Sequence, residues 1–202
     1  RVQESIEVYI PKESLVMRIR LQTEGIETRV KPLPLIKKLY VELPKPTLKS
    51  LEPDLERLLK SLRRYGVKPK NTSLDVLKSL SETLRNADWK VSTTIWNNEI
   101  LDVEEGESSN ACYGLAVDVG TTKIAAYLVN LISGETEALS STVNPQVSYG
   151  EDVITRITYA TKGDKERKEL QMKVIEGINQ LIADCCAKHE IDPRHVYEVT
   201  IV

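Results

Sequence analysis

Cysteine is scarce in this 202-residue chain: there are three, Cys112, Cys185 and Cys186, and no CxxC pair. The neighbours Cys185 and Cys186 point to different sides of a helix, so the set reads as reduced packing thiols of a cytoplasmic protein rather than a disulfide frame or a metal cage. Three thiols cannot supply a four-thiolate iron-sulfur or zinc site. No apolar run approaches the ~20 residues a membrane helix needs. The opening RVQESIEVYIPKES lacks the apolar core of a signal peptide, which leaves a soluble protein with no membrane partner. Aromatics make up only 5% of the chain, so scattered basic residues such as Arg18, Arg20, Lys37 and Lys38 read as a solvated face and not a nucleic-acid groove. His189 and His195 have no second ligand at metal spacing and suit surface or capping roles.

What is present is enough for a core: 41% of residues are hydrophobic, ordinary for one large or two small domains. The net charge of -2 conceals an asymmetry, since residues 1–100 carry 19 basic and 13 acidic side chains whereas residues 101–202 carry 9 and 17. Two regions with different surfaces are implied. Residues 1–38 hold Pro11, Pro32 and Pro34 around LVMRIRL (15–21), whose alternation suits a half-buried strand, and read as a linker with strand character. Residues 39–104 read as a small α+β domain: a strand at 39–43, a helix at 53–65 with Leu55, Leu58, Leu59 and Leu62 on one stripe, and a second helix capped by Ser73 with Leu74, Leu77, Leu80 and Leu84. A hairpin of 90–96 and 99–103 turning at Asn97-Asn98 completes it. This domain shows no catalytic constellation, and it suits packing, docking or self-association as a homodimer. Trp89 and Trp96 flank its hairpin strand and suit a core or domain interface. The run EEGESSN (104–110) has the composition of an exposed linker, placing a connection at 105–112.

From Tyr113 the pattern changes to three successive strands, then helices, then a last strand at 195–202. The order strand, strand, strand, helix, strand is that of a ribonuclease-H-like α/β half-domain. Between its first two strands, YGLAVDVGTTKIAAYLVN (113–130) inserts Asp118, Gly120, Thr121 and Thr122. Glycine permits close backbone approach, successive amides in a tight turn bind anions, and threonine hydroxyls add donors to phosphate oxygens. Asp118, ending a buried strand, suits Mg²⁺ held through water. A Gly-Thr turn is equally an ordinary way to reverse a chain, and local chemistry alone leaves both readings open.

The string GLAVDVGTTKIAAYLV resembles the first phosphate loop of the actin, sugar-kinase and seventy-kilodalton heat-shock chaperone superfamily of ATPases. Within that superfamily, NPQVSYGEDVITRI (144–157) together with LYVELPKPTLKSLEPDLERLL (39–59) resembles the reductive activators of corrinoid proteins. The resemblance runs through nearly the whole chain. It implies a small α+β middle domain followed by the leading part of an actin-like ATPase domain at 113–202, with ATP and Mg²⁺ as ligands. Asp118 takes the metal role, Gly120, Thr121, Thr122 and Lys123 contact phosphates, and no catalytic residue is assigned. Lys123 stands where another threonine is common in the activators. Such proteins couple ATP hydrolysis to returning cob(II)amide to cob(I)amide, so the implied partner is a corrinoid protein of a methyltransferase system. The family's [2Fe-2S] cluster would lie in an N-terminal domain outside this chain, which is then expected to be a fragment inactive in ATP hydrolysis by itself. Two alternatives use the same loop: an actin-like scaffold that polymerises with nucleotide, or a small-molecule kinase, for which no convincing catalytic carboxylate is found.

The motif NPQVSYGEDVITRI raises narrower expectations. Asn144, Gln146 and Tyr149 would shape the loop from strand to helix. Asp152 would either face a nucleotide or partner or act as a helix-start acid, and Arg156 would be an exposed helical residue.

Overall fold

The computed structural model describes residues 33–202, so the strand expected at 15–21 lies outside the described residues. The chain forms two four-stranded sheets, each with its own core. The first contains β1 (Ile36–Glu42), α1 (Asp54–Arg64), β2 (Asn71–Thr72), α2 (Leu74–Asn86), β3 (Lys90–Trp96) and β4 (Glu99–Glu105). Its strand order is β1-β3-β4-β2, with β1, β3 and β4 antiparallel and β2 parallel to β4. Asn97 adopts φ +55°, the left-handed conformation that Asn tolerates in a two-residue hairpin turn.

The two helices cover one face of this sheet. Leu58 and Leu62 of α1 are fully buried against Val41, Val91, Ile95 and Ile100, each worth about 1.5–3 kcal/mol of apolar burial. In α2 the buried stripe is Val76, Leu80 and Leu84, while Leu74 and Leu77 face solvent. That corrects the expected stripe by rotating it to i, i+4, i+8, because the sheet contacts one narrow face of the helix. Ser73 caps α2 by accepting a hydrogen bond from the Val76 amide at 3.3 Å. Arg57, buried on α1, donates to the carbonyls of Pro44 and Ser50 at 3.1 and 3.0 Å and lies over the Trp89 ring, so it fastens the preceding loop. Trp89 is thus a core residue, whereas Trp96 is 45% exposed.

The second sheet contains β5 (Tyr113–Val119), β6 (Lys123–Asn130), β7 (Thr136–Val143) and β8 (Val196–Ile201). The order is β7-β6-β5-β8, with β5 to β7 an antiparallel meander and β8 parallel to β5. Between β7 and β8 lie a 3-10 turn (Pro145–Tyr149), α3 (Val153–Ala160) and α4 (Asp164–Lys188). Leu181, Cys185 and Cys186 of α4 pack on Leu115, Val117, Ile124, Ala126 and Leu128. Both adjacent cysteines are buried: the Cys185 thiol lies 3.7 Å from the Ala126 carbonyl of β6, and the Cys186 carbonyl accepts from the Ile191 amide at 2.9 Å as the chain turns back from the helix end. All three thiols are free, and burial raises their pKa values.

The two units meet at a polar knot. The Lys38 ammonium on β1, fully buried, donates to Glu104 Oε1 and Oε2 at 3.0 and 2.9 Å, to the Ala111 carbonyl at 3.1 Å and to the Tyr197 hydroxyl at 3.0 Å. Tyr197 in turn donates to Glu104 at 2.6 Å, Ser108 donates to it at 2.5 Å, and His195 Nε2 lies 3.2 Å away. Burial by itself would raise the Glu104 pKa, but the bonds from Ser108, Tyr197 and Lys38 and the lysine charge hold it down at about 2. Burial and the Glu104 carboxylate push the Tyr197 phenol well above its usual value. Two expectations are corrected here: Lys38 is not on a solvated face, and His195 joins the knot; β4 also runs through Glu104 and Glu105, into the run EEGESSN that has a linker's composition. A single strand's pattern shows where a side chain points, not what a second sheet places against it.

Candidate functional site

The turn between β5 and β6 lies at one end of the second sheet. Leu115 and Val117 are buried on the α4 side of β5, so strand alternation puts Ala116 and Asp118 on the opposite, exposed face. β8 runs alongside: the Val119 amide donates to the Val202 carbonyl at 2.8 Å, and the Val202 amide to that of Val117 at 2.9 Å. Gly120 is required by proximity, because a Cβ there would sit 2.8 Å from the Lys123 carbonyl oxygen. Thr121 and Thr122 form the exposed apex, and Lys123 opens β6 in register with Val143. The amides of Thr121 and Thr122 donate to no backbone acceptor among the described residues.

Three successive carbonyls of the turn are held from one side. Asn144 Nδ2 donates to the Gly120 carbonyl at 2.8 Å, Arg156 Nη2 to that of Thr121 at 2.6 Å, and the Asn144 amide to that of Thr122 at 2.8 Å. Asn144 is 1% exposed, and its Oδ1 accepts from the Gln146 amide at 2.9 Å, capping the 3-10 turn. Gln146 reaches the Leu170 carbonyl of α4 at 3.0 Å. The 3-10 turn lies close to α4 because Gly177 faces Pro145, where a Cβ would come within 3.2 Å of the proline ring. Asn144 and Gln146 therefore do shape this loop, as expected.

Arg156 departs from expectation: it is 7% exposed, and its Nε also donates to the Gly150 carbonyl at 2.8 Å. Gly150 permits this approach, since a Cβ there would meet Thr155 at 2.7 Å. Asp152 caps α3 by accepting from the Thr155 amide at 2.8 Å and hydroxyl at 3.0 Å, bonds that lower its pKa. It serves as the helix-start acid. Beside the turn is an open cleft of about 280 Å³ lined by Gly120, Thr121, Asn144, Arg156 and the apolar side chains of Val153 and Ile157.

The structure thus brings Asp118, Gly120, Thr121, Thr122 and Lys123 to one sheet end, and it adds Asn144 and Arg156, whose contacts the sequence did not reveal. Among the described residues no cluster of three or more His, Cys, Asp or Glu could hold a metal ion, and no helix is long and apolar enough to cross a membrane. His189 is exposed at the C-terminal end of α4, where its backbone amide donates to the Cys186 carbonyl at 3.3 Å.

This is a mixed α/β protein of two small sheets whose second sheet carries a braced glycine-threonine turn. Residues 25–110 match the RACo linker region and residues 113–202 the RACo middle region, so each of the two sheets falls within its own RACo region. It is 31% identical over 125 residues to the corrinoid activation enzyme RamQ of Eubacterium limosum, covering 61% of this chain and 21% of that protein. A solved reductive activator for corrinoid, iron-sulfur protein superposes with a TM-score of 0.72 at 30% identity, covering 88% of this chain and 29% of that one. The chain spans less than a third of either relative's length.

Proposed function

We propose that this chain is part of an ATP-dependent reductive activator that returns a corrinoid protein from cob(II)amide to cob(I)amide. The observation that carries the reading is the likeness of both sheets, in order, to corrinoid activators. The turn fits the phosphates of a nucleotide: Gly120 keeps it tight, and the Thr121 and Thr122 amides lack backbone acceptors among the described residues. Thr121, Thr122 and Lys123 would contact phosphate, and the exposed Asp118 would hold Mg²⁺ through water, since magnesium takes few protein carboxylates. The bound metal would neutralise phosphate charge. The described cysteines do not fit an iron-sulfur cluster, being buried, free and too few. A [2Fe-2S] centre would belong to a further domain of the full-length protein, and the alternation between nucleotide states would bias a conformation in which the corrinoid is easier to reduce.

The test is anaerobic expression of the full-length protein, with its visible spectrum and its ATPase rate measured with and without a cob(II)amide-bearing protein. Corrinoid-stimulated hydrolysis is expected. In that protein Asp118→Ala should abolish ATP-driven corrinoid reduction with the fold intact, and unchanged activity in a folded variant would remove Asp118 from the metal role.

A further inference from the structure

The carbonyl and amide of a trans peptide point in opposite directions. Fixing the Gly120 carbonyl therefore aims the Thr121 amide, and fixing the Thr121 carbonyl aims the Thr122 amide. The donors that fix them are Asn144 Nδ2 at 2.8 Å and Arg156 Nη2 at 2.6 Å, both from nearly buried side chains. We propose that Asn144 and Arg156 are positioning residues for phosphate recognition, holding the Thr121 and Thr122 amides presented to a polyphosphate before it arrives. The inference rests on the nucleotide reading and deepens it.

Three observations support this role over simple loop packing. Both residues grip the carbonyl side, leaving two successive amides without backbone acceptors among the described residues. Arg156 has no carboxylate within 4.0 Å among the described residues, although its charge helps the Thr155 bonds to lower the Asp152 pKa: its own bonds go to the Thr121 and Gly150 carbonyls, so a buried positive charge stands directly behind the turn. That charge polarises the Thr121–Thr122 peptide and strengthens its amide as a donor to an anion. Finally, the guanidinium spans two carbonyls with one planar fork, which a lysine cannot do. Preset donors avoid reorganisation when charge arrives.

The test uses the full-length protein with a non-hydrolysable ATP analogue plus Mg²⁺, and separately pyrophosphate, titrated by calorimetry. Asn144→Asp keeps the oxygen that caps Gln146 but puts a carboxylate oxygen in place of the donor to Gly120, and Asn144→Ala removes that donor without adding a charge that would repel the anion. Arg156→Lys keeps the charge but not the two-carbonyl bridge. Each affinity is read beside the variant's own ligand-free Tm, which separates positioning from stability. A fivefold or greater loss of affinity is expected for both probes, with Asn144→Asp still capped and folded. A smaller loss in a folded variant overturns the role of that residue, and Arg156→Lys carries the test if Asn144→Asp does not fold. Wild-type protein that binds neither probe overturns the nucleotide reading and this inference together, whereas wild-type binding with undiminished variants overturns the inference alone.

Discussion

Glu104→Gln would remove the only carboxylate hydrogen-bonded to the Lys38 ammonium among the described residues, and the lysine is fully buried. Breaking a buried ion pair from one side costs about 3–5 kcal/mol, because the remaining charge stays desolvated without compensation. Glu104 is itself one-fifth exposed, which points to the lower end, about 3 kcal/mol. With a urea dependence of about 2–3 kcal/mol/M, the midpoint should fall by about 1 M. The assay is urea unfolding followed by Trp fluorescence and circular dichroism, extended to Lys38→Met and the double variant. Removing both charges should recover much of the single-variant loss, the signature of a coupled pair. A cost below about 1 kcal/mol for Glu104→Gln would place the pair with exposed salt bridges and refute the reasoning. The pH dependence has two limbs. The Glu104 pKa is depressed on folding from 4.5 to about 2, so its contribution is present above pH 4.5 and lost as pH falls toward 2. The Tyr197 pKa is raised above 10 on folding, so its contribution is present below pH 10 and lost as pH rises beyond it. Glu104→Gln should flatten the acid limb.

Gly120→Ala places a Cβ 2.8 Å from the Lys123 carbonyl oxygen, so the turn must open. A loss of about 1–3 kcal/mol is expected in urea unfolding, together with weaker Mg-ATP binding in calorimetry, and an unchanged variant would show that the turn is slack. Thr121 is exposed, so Thr121→Val should leave stability within about 0.5 kcal/mol while weakening triphosphate binding. Equal losses of both would favour a plain chain reversal.

Local pattern carried most of the secondary structure. The β5–β7 meander, the hairpin at Asn97 and the Ser73 cap were legible because strand alternation and turn chemistry act over a few residues. The α2 stripe was misjudged: leucine spacing picked Leu74 and Leu77, but the sheet contacts the face of Val76. For the candidate site, Asp118 and the glycine-threonine turn stood out as polar residues between apolar runs. Asn144 and Arg156 did not, because an Asn before Pro and an Arg in an amphipathic helix look like a loop former and a surface cation. Gly150 and Gly177 were the available signals, each marking a close approach.

By itself the sequence determined the elements, the turn and the family likeness, since these depend on residue type at short spacing. Only the tertiary structure decided which polar groups are buried together. Lys38, Glu104 and Tyr197 are 66 to 159 positions apart, and Arg156 reaches Thr121 across 35. Such contacts are set by the docking of whole elements, and burial converts an ordinary charged side chain into a structural tie.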